Sequence, residues 1–289
     1  MKKSLVILTA ILAFGLVFTG CKKKGSKSEG AKKAAKLSNT TKSELGFSPK
    51  IVVTLNLDSM KKSVIYNKMV KKELSKKIGK DPCVADLVTS IKKVVLVSGS
   101  GDLDDKKAAV VGAIYGMDAK KALSCISGLK SAKVTKEKLN GKDYIVINEK
   151  DEKTYFFKAS DKAVVFGTKK GFDKLVQGKG IFGTGNIDSF VGSESIFIKA
   201  TGIKGKAKNI NGSIDLSDGL SINGTATMVD EDDAKKSEKM FEQFKKFPGL
   251  GDMIKKLSLS RSGASLTLKG KLSTKDIESL MKNPMLKGM

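Results

Sequence analysis

The chain has 289 residues, 40% of them hydrophobic, which is enough for one large or two modest domains with a packed core. Its 55 basic residues outnumber 30 acidic ones for a net charge of +25, and every basic residue except Arg261 is a lysine. Histidine and tryptophan are absent, which excludes a histidine general base, a Ser-His-Asp triad and a histidine-ligated metal. With one guanidinium in the chain, bidentate reading of nucleic-acid bases is excluded as well, and no nucleic-acid partner is expected.

At the N-terminus, Lys2 and Lys3 precede an apolar run from Leu5 to Phe18, and Thr19-Gly20-Cys21 closes it with small residues and a cysteine. The run is shorter than the roughly 20 residues that cross a bilayer core, so residues 1–20 read as a secretory signal peptide. The terminal cysteine makes the segment resemble a bacterial lipoprotein signal, with Phe18 standing where such signals usually carry leucine. That resemblance implies cleavage before Cys21, diacylglycerol on its sulfur, and anchoring of the mature chain to a membrane. Lys22 is not the aspartate associated with inner-membrane retention, so by the same resemblance a two-membrane cell places the protein on its outer membrane. A single-membrane cell carries the same anchor on its outer face.

Residues 21–48 are rich in Lys, Gly, Ser and Ala and read as a flexible tether behind the lipidated cysteine. Lys22, Lys23 and Lys24 lie directly against the proposed anchor, where they read as a contact with an anionic membrane surface or as a solvated spacer, while the diffuse positive charge of the whole chain would attract anionic lipids or anionic envelope polymers. From Pro49 the pattern becomes structured. Ile51 to Leu57 alternates as a strand, and Asp58 and Ser59 offer the cap of a helix running to Gly79. Pro82 opens a helix holding Cys83, Leu87 and Ile91. Strands are expected at 94–97 and 108–115, then a helix capped by Asp118 and reaching Leu129. Strands at 144–147, 154–158 and 163–166 and a helix from Lys169 to Val176 complete a first lobe, residues 49–177. Residues 178–189 are glycine-rich and mark a linker. The second lobe, 190–289, reads as strands near 195–201, 207–216 and 220–228, a helix from Asp230 to about Phe247, a hairpin at 257–272 and a last helix at 273–281.

This order predicts an α+β fold: two lobes of largely antiparallel sheet with helices packed on one face, similar enough in element order to suggest a diverged duplication. The other face of each sheet stays partly open, and an open face is where such a protein would hold a ligand or partner.

Cys83 and Cys125 remain for an oxidising compartment. A disulfide between them would close a loop of about 40 residues and add roughly 3 to 4 kcal/mol. Two free buried thiols are the alternative, and the absence of a C-x-x-C spacing speaks against redox catalysis. Other motifs dissolve on inspection. Gly178 to Gly183 fits G-x-G-x-x-G, but a helix precedes it and more glycine follows, whereas a dinucleotide site needs a strand and then a helix. S-x-x-K occurs at Ser59/Lys62, Ser90/Lys93, Ser127/Lys130 and Ser279/Lys282, a frequency expected of so lysine-rich a chain. Asp102, Asp104 and Asp105 lack the later glutamate of a calcium loop and read as a turn. Asp230 to Asp233 suit the first turn of a helix. Met240, Phe241, Phe244 and Phe247 form an apolar helix face, read first as core and second as a lipid- or partner-contacting surface. No catalytic, cofactor or metal residue is assigned.

The segment from Ile210 to Asp230, with its Asp218-Gly219 turn and the acid-started helix after it, resembles a strand, turn, strand, helix pattern of uncharacterised exported bacterial lipoproteins. The resemblance spans about a third of the chain and implies export and fold, not an activity. The expectation is therefore a lipid-anchored, non-enzymatic envelope lipoprotein with a binding or structural role and no identified protein partner. The alternative is a carrier or sensor of a lipid-like ligand held between sheet and helices.

Overall fold

The computed structural model describes residues 45–64, 66–67, 82–102, 105, 107–129, 132–139, 141–149, 152–177, 193–203, 207–246 and 251–282. They fall in two compact units that divide between Ile198 and Lys199. The expected signal peptide, Cys21, the bulk of the 21–48 tether and the 178–189 linker lie outside the described residues.

The N-terminal unit contains β1 (Ile51–Asn56), β2 (Lys93–Ser98), β3 (Val110–Tyr115), β4 (Lys133–Leu139), β5 (Lys142–Glu149), β6 (Glu152–Ser160) and β7 (Ala163–Gly167). They lie in the order β1-β2-β3-β7-β6-β5-β4, and every neighbouring pair is antiparallel. Side chains alternate across the sheet, so Val165 and Phe157 enter one core while Val164 and Phe156 enter the other. The first core gathers Val52, Val95, Val97, Val111 and Tyr144 under Phe172 and Leu175 of α4 (Lys169–Gln177). On the opposite face, Met117, Val164 and Phe156 pack against Leu87 of α2 (Pro82–Ser90) and Ala119, Ala122 and Leu123 of α3 (Ala119–Ser127). Gly112 permits a close crossing of the sheet: a Cβ there would fall on the Phe166 ring, which stacks on Phe156 at 6.1 Å.

The helix expected from Asp58 begins as α1 (Leu57–Met60), one residue earlier, because Asn56 accepts from the Ser59 amide and takes the cap. Its projected course toward Gly79 falls largely outside the described residues. Lys61 then reaches across to the end of α2, donating to the carbonyls of Thr89 and Ile91 at 2.6 Å each, a cation on the negative end of that helix.

The C-terminal unit holds β9 (Ala207–Asp215), β10 (Leu220–Met228), β11 (Leu257–Ser262) and β12 (Ser265–Leu272) in the order β11-β12-β10-β9, again antiparallel. The strand β8 (Ile196–Thr201) spans the division between the units. A 14-residue helix, α5 (Glu231–Phe244), starts at Asp230, whose side chain accepts from the Asp233 amide at 2.9 Å. Its Phe241 packs on Ile222, Ala226 and Leu268, and its Ala234 on Met228, Ala264 and Leu266. Arg261 binds Glu238 of this helix at 2.7 Å and ties it to β11. The short α6 (Gly251–Ile254) and α7 (Thr274–Lys282) complete the unit. The β9–β10 hairpin turns at Gly219, whose φ of 86° is open to glycine and costly for other residues.

This architecture corrects the α+β expectation. The described residues form a mostly antiparallel sheet structure of 12 strands with few helices, none longer than 14 residues. In the N-terminal unit the short helices instead cover patches of both faces. That unit carries seven strands where six were expected, and its neighbour a helix cap over one face only, so the suggested duplication is dropped with the fold class. The cause is local. β4 (KVTKEKL) is an outermost strand whose lysines mask its alternation, so it escaped the sequence reading.

Candidate functional site

The first candidate is a shallow groove of about 480 Å3 where α2 meets α3. Pro82 is the first residue of α2, a position that needs no amide hydrogen. Asp118 caps α3 by accepting from the Lys121 amide at 2.9 Å, a bond that draws its carboxyl below the usual carboxylate range. Ala119, Ala122 and Cys125 recur every third residue and turn one helix face inward, leaving Lys120, Lys121 and Ser124 on the groove. Cys83 and Cys125 are joined by a disulfide there, with Cα atoms 5.8 Å apart. Lys121 also pairs with Asp86 of α2 at 3.3 Å. With both sulfurs in the bridge, the groove offers lysines, the Ser124 hydroxyl and one capping carboxylate.

A second cluster lies within the first core. Tyr144, Tyr155, Phe157 and Phe172 meet edge to face, with centroids between 5.1 and 6.4 Å apart. Glu137 of β4 accepts from Lys153 of β6 at 2.6 Å and from the Tyr155 hydroxyl at 3.1 Å, reaching across β5. The Lys153 bond holds the glutamate below its ordinary range, while burial, then the bond to Glu137, raises Tyr155. The glutamate is thus held charged and the phenol protonated, the pairing a structural tie across β5 needs.

The sequence motifs come apart in three dimensions. Ser127 donates to Leu123 O at 2.9 Å and Ser90 to Leu87 O at 2.7 Å, so both hydroxyls turn back onto their own helices. Ser59 shares a 2.8 Å bond with Ser195. Asp105 accepts from the Lys107 amide as a turn residue, and Asp104 lies outside the described residues, as do Lys130, Gly178 to Gly183, Phe247 and the Lys22–Lys24 run. The apolar face of α5 divides: Phe241 is buried and Met240 is exposed. Among the described residues, no cluster of three Cys, Asp or Glu side chains could hold a metal ion, and no helix is long and apolar enough to cross a membrane.

A third feature depends on register and was missed. Opposite α5, the C-terminal sheet presents a charged row, Lys271, Ser221, Asp215 from β12 to β9, and three longer cross-strand rows. The first runs Ser258, Lys269, Asn223, Ser213 from β11 to β9. The second runs Ser260, Thr267, Thr225, Asn211. The third runs Ser262, Ser265, Thr227, Asn209. Each residue alternates with a partner on the helix side, such as Ile222, Ala226 and Leu268. The raw signal was present in stretches such as Ser-Leu-Ser-Arg-Ser and Asn-Gly-Thr-Ala-Thr, but only strand pairing aligns them.

Comparison with protein-family models, with curated proteins and with solved structures returns no match to this chain.

Proposed function

We propose that this chain is a lipid-anchored, non-enzymatic bacterial envelope lipoprotein whose strand-rich body serves a binding or structural role. The reading is carried by the segment ending at Cys21: a basic start, an apolar run too short to span, and a small-residue exit onto cysteine. The Cys83–Cys125 bridge supports it, because disulfides persist in oxidising compartments. The almost wholly lysine-based positive charge supports it too, since it favours apposition to anionic envelope surfaces. Expression of the full chain in a bacterial host fed an alkyne-tagged fatty acid is the test. The wild type should incorporate the label and sediment with membranes, while Cys21→Ser should remain unlabelled and be released. A Cys21→Ser protein that stays in membranes at high salt would sink the anchor.

A further inference from the structure

The two ends of the Cys83–Cys125 bridge are built differently. Both cysteines line the open groove between α2 and α3. Cys83 is half-buried there, while Cys125 is only 6% exposed and shares the inward face of α3 with Ala119 and Ala122. Cys83 belongs to the first turn of α2, a nine-residue helix whose N-terminal end favours negative charge. Cys125 stands in the last turn of α3, at the end of opposite sign. Asp86 comes one turn after Cys83 and Lys121 one turn before Cys125, and these two charges pair across the groove at 3.3 Å. Lys120 and Asp118 add one more charge of each sign, so among the described residues the groove does not select a visitor by net charge.

We infer that Cys83 is a thiol-exchange site, at which a low-molecular-weight thiol opens the bridge and is held as a mixed disulfide. The incoming thiolate attacks Cys83 Sγ and forms a new S–S bond with it. The Cys83–Cys125 bond breaks, and its electron pair leaves on Cys125 Sγ, which takes a proton from water. Cys125 can then attack back, expel the small thiol and restore the bridge. If a second small thiol attacks Cys83 instead, the symmetrical small disulfide departs; two small thiols have lost two electrons and the bridge has gained them. One thiol is held per chain, and no C-x-x-C spacing is required. Leaving-group acidity favours the opposite direction of attack, because Cys83 at a helix N-terminus is the better-stabilised thiolate. That preference is small: one pKa unit changes an exchange rate on the order of threefold. Access is the larger factor, since a sulfur on the inward helix face is reached only when the helix opens. The groove, about 480 Å3, has room for a small thiol beside the sulfur it attacks. Opening the bridge removes the covalent tie between α2 and α3 and leaves other holds in place. Leu87 still packs in the core with Met117 and Val164, Lys61 still binds the last carbonyls of α2, and the core under α4 uses neither helix.

The test uses the full chain with Cys21→Ser throughout, so that Cys83 and Cys125 are its remaining cysteines and the outcome is independent of the anchor. Folded protein is given 2-mercaptoethanol at about pH 8, quenched with acid at intervals, and its thiols counted by mass spectrometry. The bridge should open at a rate proportional to thiol concentration and within about tenfold of the urea-unfolded protein. Circular dichroism should be unchanged. A rate that ignores thiol concentration and equals the rate of unfolding overturns the inference, as does a bridge that stays closed until the protein unfolds. The choice of sulfur is read from single variants. Given the symmetrical disulfide of 2-mercaptoethanol, folded Cys125→Ser should take one adduct on Cys83. Folded Cys83→Ser should take its adduct on Cys125 at least tenfold more slowly, and the two rates should converge in urea. Both variants lack the same bond, so a difference between them reports access and thiolate character and not lost stability. Equal rates in the folded state, or a faster reaction at Cys125, overturn the assignment to Cys83.

Discussion

Asp276 shows how much local order one side chain can organise. It stands in the first turn of α7, where its carboxylate accepts from the Ser273 amide at 2.9 Å and hydroxyl at 2.8 Å, while the Asp276 amide donates to Ser273 Oγ at 3.2 Å. This is a reciprocal cap of the kind Ser-x-x-Glu sequences form. Lys256 closes the fourth side at 2.6 Å and fastens the helix to the residues just before β11. The Lys256 bond, followed by those from Ser273, lowers the carboxyl from 3.8 to about 2. Because the folded value lies below the unfolded one, the contribution is complete above pH 3.8 and fades as the pH falls toward 2. The melting temperature of Asp276→Asn should therefore lie below wild type at pH 6, with the gap narrowing steadily between pH 4 and pH 2. A gap that stays constant over that range would show that the charge of Asp276 is not what holds the cap.

At the scale of elements, the bridge between α2 and α3 is the connection with the largest single effect. Its cysteines lie 42 residues apart, so closing that loop removes unfolded-chain entropy worth about 4 kcal/mol in the loop-closure treatment. For a protein of this size, losing it should lower the melting temperature on the order of 10 °C. Cys83→Ser, Cys125→Ser and the double variant should all show the same drop, since each removes one shared bond. Thiol counting of denatured, unreduced protein checks the premise, and two reactive thiols from Cys83 and Cys125 would end it. Most elements were legible in the sequence because their signals were short-range. Asp118 sits at the cap its position announced, Asp230, read as the first helical residue, is the cap one position before it, and Asp218-Gly219 falls in the 216–219 turn between β9 and β10. What escaped depended on neighbours. β4 alternates Lys136 and Lys138 with Thr135 and Glu137, and only pairing with β5 marks it as a strand. The cross-strand rows on β9 to β12 were invisible for the same reason. No local pattern says that Thr225 lies between Thr267 and Asn211.

For the whole molecule, the charge of +25 and the anchor proposed at Cys21 would be two separate routes to a membrane, and they would obey different physics. Attraction between dispersed lysines and anionic lipid weakens as the screening length shrinks from about 10 Å at 0.1 M salt to about 3 Å at 1 M. Burial of acyl chains is insensitive to salt on that scale, and each buried methylene contributes about 0.8 kcal/mol. Lysine dominance sharpens the contrast, because an ammonium acts as a hydrated point charge without the bidentate grip of a guanidinium. Flotation with vesicles of neutral lipid, and of neutral lipid mixed with about a third phosphatidylglycerol, separates the two routes. Cys21→Ser protein should float only with the anionic vesicles and only at low salt, losing most of its binding by 0.5 M. Lipidated protein should float with both compositions at every salt concentration. If Cys21→Ser ignores the anionic lipid even at low salt, the positive charge faces something other than a membrane, and the lysines belong to solubility alone. If the lipidated form is stripped by salt, charge and not acylation has been holding the protein down.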